Sequence, residues 1–293
     1  MIVAEISSFQ LETIDQFCPK VSAVLNITPD HLDRHGTVEC YADTKLKIAM
    51  NQTKDQYCVL NYDDPTTRAM AERIDATPVF FSRLEVLESG VYLDGDQFVV
   101  SWNGEKQVIC TMDDINLLGG HNHENILAAI GVSYFMGIAP ANILEGVRKF
   151  KGVAHRIEFV AEVNGVAYYN DSKGTNPDAA IKGIQAMNRP TYLIGGGYDK
   201  KSTYDEWIDA FDGKVKALIL IGQTAEKIAD TARKHGFDAI VMAETLEEAI
   251  QYGADHAVEG EAVLLSPACA SWGMFKNYEV RGDMFREYVL QLK

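Results

Sequence analysis

Val21-Ser22-Ala23-Val24-Leu25-Asn26-Ile27 is an apolar run of strand length that passes directly into Thr28-Pro29-Asp30-His31-Leu32-Asp33-Arg34-His35. A continuous apolar strand, rather than an alternating one, suits a parallel sheet covered on both faces. The polar stretch behind it places two acids, two histidines and an arginine in the turn after a strand, where sites form in α/β folds. One histidine alone reads as structural. This grouping reads as functional, and mixed carboxylate and imidazole donors suit magnesium or manganese beside phosphates.

Working outward from that stretch, Ile2-Val3-Ala4-Glu5-Ile6 reads as a second buried strand. Glu5 within it is either a paired structural acid or a metal ligand, because a buried carboxylate without a partner is costly. Downstream, the pattern predicts a helix over 41–50, a strand over 57–61 and a helix over 65–74 that starts on Pro65. Lys45 and Lys47, taken alone, are ordinary lysines of a helix surface. Residues 90–111 alternate around Asp94-Gly95 and Asn103-Gly104 and predict hairpins. Helices follow over 122–136 and 140–150. Asn122 and Asn125 share a helical face and offer amides to an adenine edge, or Asn122 caps the helix.

The helical pattern stops at Lys151-Gly152-Val153-Ala154, which predicts two domains, 1–151 and 152–293. The second opens on a hairpin turning at Asn164-Gly165. It continues as a βα series with strands over 191–194, 217–221, 239–242 and 262–265. Helices over 178–187, 204–211, 224–235 and 245–256 separate them. The expectation is α/β throughout: a parallel-sheet domain followed by a doubly wound, Rossmann-like one with its site at the carboxyl ends of the strands. Thr245-Leu246-Glu247-Glu248 has the spacing of a capping box.

The net charge of -15 disfavours a nucleic-acid partner. Five scattered cysteines without a CxxC pair fit a reducing cytosol. No apolar run has the length needed to cross a bilayer and no signal peptide is visible, so the expectation is cytoplasmic with no membrane insertion. No GxxxxGK[ST] phosphate loop occurs in the sequence.

Three further loops are dense in polar groups. Tyr169-Asn170-Asp171-Ser172-Lys173-Gly174-Thr175-Asn176 ends at a helix start, where backbone N–H groups favour anions. Ile194-Gly195-Gly196-Gly197-Tyr198-Asp199-Lys200 lacks the last glycine of a dinucleotide fingerprint; its glycines would let backbone approach a ligand, and Lys200 adds a cation. Ser266-Pro267-Ala268-Cys269-Ala270-Ser271-Trp272 follows the last strand, and Cys269 has no histidine within its loop to make it a nucleophile. His155-Arg156 reads as solvated linker charge, or as a clamp for phosphate or ribose.

In order along the chain, AEISSFQLE, LNITPDHLDRHGT, YADTKLKIA, LGGHNHENILAA, AHRIE, YNDSKGTNPDA, LIGGGYDK and LSPACASWGMFKNYEVRGDMF resemble the Mur ligase family. SPACAS followed by FKNYEVRG is most similar to members that add D-glutamate to UDP-N-acetylmuramoyl-L-alanine; the DNPR string of the diaminopimelate- or lysine-adding relatives does not occur. The resemblance implies an ATP- and Mg2+-dependent amide ligase acting through an acyl phosphate. It implies metal ligation by Glu5, His31 and Lys45, the lysine as a carbamate. It implies ATP contacts from Asn122, Asn125, Arg156 and Asp171. Lys173, Thr175, Lys200, Ser271, Trp272 and Tyr278 match positions around D-glutamate or its acyl partner, with Lys45, His31 and Lys200 in catalytic roles. Family members carry a UDP-binding domain and a phosphate loop ahead of AEISSFQLE. Neither is in this sequence, and the expectation is that this chain alone does not turn over. The alternatives are another Mur or folylpolyglutamate-type ligase, or a non-catalytic nucleotide- or amino-acid-binding remnant.

Overall fold

The computed structural model describes residues 1–292. It divides into two compact units: residues 1–115 with 120–150, and residues 116–119 with the chain from Lys151 onward.

The first unit begins without regular structure. Ile2-Val3-Ala4-Glu5-Ile6 is not a strand, and Ile2 is 93% exposed. A strand exists only where a neighbour completes its ladder, and no neighbour is present among the described residues. The elements of this unit are α1 (Ser8–Leu11), β1 (Val21–Val24), α2 (Leu32–His35), α3 (Val38–Leu46), β2 (Tyr57–Asn61), α4 (Pro65–Ala69), β3 (Thr77–Ser82), β4 (Gly90–Asp94), β5 (Gln97–Trp102), β6 (Glu105–Thr111), α5 (Gly120–Phe135) and α6 (Pro140–Lys149). The sheet runs β1-β2-β3-β4-β5-β6, parallel through β4 and antiparallel from there. β2 is buried on both faces through Cys58, Val59 and Leu60, as a continuous apolar run requires. The predicted hairpins are β4 to β6. One strand falls outside the sequence reading: β3 carries Pro78 at its second position, a residue that argues against a central strand. Asp64 caps α4 by accepting from the N–H groups of Thr66 and Thr67, with Pro65 at the first helical position.

The second unit contains β7 (Glu158–Val163), β8 (Val166–Asn170), α7 (Pro177–Ala186), β9 (Thr191–Gly196), α8 (Asp205–Asp209), β10 (Val215–Ile221), α9 (Ala225–Lys234), β11 (Ile240–Met242), α10 (Leu246–His256), β12 (Ala262–Leu265) and α11 (Tyr278–Gln291). Its order is β11-β10-β9-β12-β8-β7. Every pairing is parallel except the β7–β8 hairpin. The last strand in sequence is therefore inserted between β8 and β9. Its register aligns Leu265 with Asn170 on one side and Ile194 on the other, so β12 and β8 end level and β9 runs two residues further. α11 is absent from the sequence reading, because its apolar residues are spread around the helix and do not form one stripe. Thr245 accepts from the N–H of Glu248, but the Glu248 carboxylate takes the N–H of Glu244 instead of Thr245, which leaves half of the anticipated capping box.

Candidate active site

In the first unit, Glu5, Ser7, Asp30, His31, Tyr41 and Lys45 line one recess of about 350 Å3. Lys45 lies one position before the end of α3, half-buried, with Nζ 5.5 Å from the Tyr41 ring centroid. It is therefore not an ordinary surface lysine. Glu5 is exposed, which corrects the expectation of a buried strand acid. His31 adopts a left-handed backbone (φ 51°) at the start of α2, and its side chain is 47% exposed. His35 is buried beside it, with Nε2 3.0 Å from Ser8 Oγ. Of the two histidines, His31 is the one open to a ligand and His35 is structural.

Asn122 is the third residue of α5, inside the helix, so the capping alternative does not hold. Asn125 is exposed one turn on. The neighbouring Glu124 accepts from Arg83 Nε at 2.9 Å.

In the second unit, the adjacent carboxyl ends of β8, β12 and β9 set three loops side by side. Asp171 N–H donates to Leu265 O (2.7 Å), Ser266 N–H to Ile194 O (3.2 Å) and Gly196 N–H to Pro267 O (2.9 Å). Asp171 is buried. Its Oδ1 accepts from Ile157 N–H (3.3 Å) and its Oδ2 from Ser266 Oγ (2.7 Å). Burial pushes this carboxyl up to about 7, against the pull of those hydrogen bonds and of the Arg156 and Arg281 charges. A Cβ on Gly174 would lie 2.6 Å from Asp171 Oδ2, and one on Gly183 would lie 2.6 Å from Ser266 Oγ. Glycine at both positions is what allows the loop and α7 to close over this pair.

Lys173 and Lys200 are exposed and each faces a ring: Lys173 Nζ is 5.7 Å from the Tyr278 centroid and Lys200 Nζ 5.4 Å from that of Trp272. Trp272 also packs against Tyr198. Thr175 is half-buried and Ser271 buried in the same loop group. The glycine run is packed tightly against neighbouring backbone. A Cβ on Gly196 would meet Ile221 O at 2.2 Å and one on Gly197 would meet Ala270 O at 2.4 Å. The backbone that these glycines admit is the protein's own. Cys269 is buried, its sulfur 3.1 Å from Tyr204 Oη and 3.3 Å from Thr224 Oγ1, and burial raises its thiol.

His155 is not solvated linker charge. It is buried at a left-handed φ of 64°, with Nδ1 3.1 Å from Asn170 Nδ2, while Arg156 beside it is exposed. Sequence reasoning missed Arg281, which is wholly buried. It donates from Nε to Ser172 Oγ (2.9 Å), from Nη2 to Ser172 O (2.7 Å) and from Nη1 to Cys269 O (3.2 Å). It thereby ties the loop after β8 to the loop after β12. An arginine in a string otherwise read as a ligand loop gives no sign of burial.

The donor set of the first recess fits a magnesium ion. Magnesium takes one or two carboxylates, retains waters and completes its shell with substrate phosphates. Glu5, Asp30 and His31 provide that much. A closed cage of three or more His, Cys, Asp or Glu ligands is not found among the described residues.

One α/β unit carries an open acid–imidazole–lysine recess, and the other carries a cation- and hydroxyl-bearing loop cluster at its strand ends. This chain belongs to the Mur ligase family: its middle-domain model matches residues 1–133 and its glutamate ligase domain model residues 155–269. The chain is 53% identical over 291 residues to the UDP-N-acetylmuramoylalanine–D-glutamate ligase of Lachnoclostridium phytofermentans, covering 99% of this chain and 64% of that protein. It is 55% identical over 294 residues to the enzyme of the same name from Thermoanaerobacter sp. (strain X514), covering 100% and 65%. The chain thus spans slightly less than two-thirds of the length of these curated relatives. Among solved structures, MurC of Thermotoga maritima matches with a TM-score of 0.66 at 17% identity, over 98% of this chain and 62% of that one. MurF of Thermotoga maritima in complex with ADP matches with a TM-score of 0.59 at 18% identity, over 94% and 64%. These two likenesses show the fold. Among the described residues, no helix is long and apolar enough to cross a membrane.

Proposed function

We propose that this chain provides the nucleotide-handling and amino-acid-binding parts of an ATP-dependent ligase that joins D-glutamate to UDP-N-acetylmuramoyl-L-alanine in peptidoglycan synthesis, in the cytoplasm. Residues 1–151 would serve ATP and residues 152–293 the amino acid. The observation that carries this reading is the recess that Glu5, His31 and Lys45 share, although they are distant in sequence. The D-glutamate ligases that match most of this chain support the substrate, and the ADP complex of a structural neighbour supports the nucleotide.

Glu5 and His31, with Lys45 as its carbamate, would hold Mg2+, which supplies charge neutralisation between two anions when bound. The muramoyl-alanine carboxylate attacks the γ-phosphorus of ATP, the bond to the β-phosphate oxygen breaks, and ADP leaves. The amine of D-glutamate then attacks the acyl carbon; inorganic phosphate departs and the amine loses a proton. Lys200 and Lys173 face this step as cations for substrate carboxylates, with Thr175 and Ser271 as hydroxyl donors and Trp272 and Tyr278 as walls. Asn122, Asn125 and Arg156 serve the nucleotide. Asp171, whose oxygens are both engaged within the protein, acts there as a positioning residue.

The test supplies ATP, Mg2+, UDP-N-acetylmuramoyl-L-alanine and D-glutamate to the full-length polypeptide that contains this sequence, and follows phosphate release. Release should require both acceptor and amino acid, and Lys45→Ala should lower it at least roughly 100-fold, the scale for removing a preorganised charge. Equal release with L-glutamate would refute the amino-acid assignment. An unchanged rate in Lys45→Ala would refute the role of the recess.

A further inference from the structure

The turn that carries Asp30 and His31 has little to hold it in place. From Thr28 to Gly36 only His35 is buried. α2 has four residues, too few to be stable alone, and His31 opens it in a left-handed conformation without a side-chain cap. The turn is nevertheless fixed over the recess: the His35 ring packs on Tyr41 of α3 (5.3 Å), and the other contacts come from α1 and the residue behind it. Arg34 donates to Glu12 through both Nε (2.9 Å) and Nη2 (2.6 Å). His35 meets Ser8 Oγ, and Phe9 packs on the rings of both His31 (4.9 Å) and His35 (5.9 Å). The guanidinium of Arg34 lies 5.5 Å from the Phe9 centroid. α1 is also short, but its two ends are tied: Ser7 and Gln10 form a reciprocal capping box, and Lys47 Nζ donates to Glu12 O at 3.2 Å. Two four-residue helices, neither viable alone, are joined by a bidentate ion pair, the His35–Ser8 hydrogen bond and the packing of Phe9.

We propose that Glu12 and Arg34 are a positioning pair that holds the Asp30–His31 turn over the recess and so sets the affinity of that recess for a divalent cation. Neither residue lines the recess; each acts through the turn. A fork of two parallel hydrogen bonds fixes direction as well as distance, which a lysine in place of Arg34 cannot reproduce. The consequence for cation binding rests on the function proposed above; the clamping of the turn does not.

Two measurements on the full chain separate these parts. Amide hydrogen exchange of Arg34, His35 and Gly36, whose N–H groups donate to His31 O and Leu32 O, reports the turn directly. Glu12→Gln and Arg34→Lys should accelerate exchange at these three amides while the amides of β2 stay protected. The exchanged pair Glu12→Arg with Arg34→Glu should restore protection. Unaltered exchange in both single variants overturns the clamp. Mn2+ binding, followed by water-proton relaxation with ATP present, reports the consequence. Glu12→Gln should weaken it roughly ten-fold, as loss of a group that orients a metal ligand does, with recovery in the exchanged pair. Equal Mn2+ affinity in parent and Glu12→Gln overturns the link to the cation. A parent chain that binds no Mn2+ refutes the functional reading of the recess, and hydrogen exchange still decides the clamp.

Discussion

Arg281→Met should be the most damaging single substitution in the second unit, lowering its stability by about 3–5 kcal/mol. Replacing a buried charge by an apolar side chain of similar volume is often tolerated when its partners are replaced as well. Here the partners stay behind: Ser172 O, Ser172 Oγ and Cys269 O accept from Arg281 and belong to loops fixed by the strand ends. Stranding acceptors in a dry interior forfeits hydrogen bonds to a charged donor worth about 1.5–3 kcal/mol each. The environment is demanding even for the arginine, since burial pulls its guanidinium down to about 10 against the attraction of Cys269 and Asp171. Thermal unfolding should show the midpoint of this unit falling by about 10 °C, at a few degrees per kcal/mol for a domain of this size. Arg281→Lys should fall between the two, because an ammonium does not span both loops. A midpoint for Arg281→Met within about 2 °C of the parent, below what 1 kcal/mol would move it, would show that the guanidinium does not hold the loops together.

Asp171→Asn should stabilise the protein above neutral pH. The carboxyl ionises at its ordinary 3.8 when unfolded but near 7 when folded, so folding takes up a proton between those values. The folded-state pKa is raised, so the cost grows as pH rises from about 4 to about 7 and is complete above that. About three pH units at 1.36 kcal/mol each put the full cost on the order of 4 kcal/mol. Asparagine retains the geometry: its oxygen accepts from Ile157 N–H and its amide donates to Ser266 Oγ, which now acts as acceptor. Urea midpoints of the parent should drop between pH 5 and pH 8, and those of Asp171→Asn should drop less, with the variant the more stable of the two at pH 8. Parallel profiles would mean that Asp171 titrates as an ordinary exposed acid.

The same two residues show what was hidden in the sequence. Asp171 stood out as a site candidate because acids after strands do, but nothing local indicated that both its oxygens are taken up by partners 14 and 95 positions away. Arg281 gave no signal at all. Glu5 shows the reverse: an apolar neighbourhood read as burial, while the structure leaves the segment exposed because, among the described residues, no strand lies beside it. At the glycine run, a Cβ on Gly196 or Gly197 would meet the carbonyls of Ile221 and Ala270, a close approach within the protein that the sequence does not reveal.

Local chemistry settled many, but not all, of the elements of this protein. Apolar runs, Asn-Gly and Asp-Gly turns and a proline at a helix start each act over a few residues, so strands β1, β2 and β12, the hairpins and the βα series of the second unit were legible without coordinates. The strand order was not, because pairing is chosen by global burial between segments that share no local signal. Inserting β12 between β8 and β9 sets Asp171, Gly196 and Ser266 on adjacent strand ends. The packing of α1 under the 28–36 turn similarly brings Glu5, His31 and Lys45 to one recess. The sequence determined which side chains are available for chemistry; only the tertiary structure decided which of them meet.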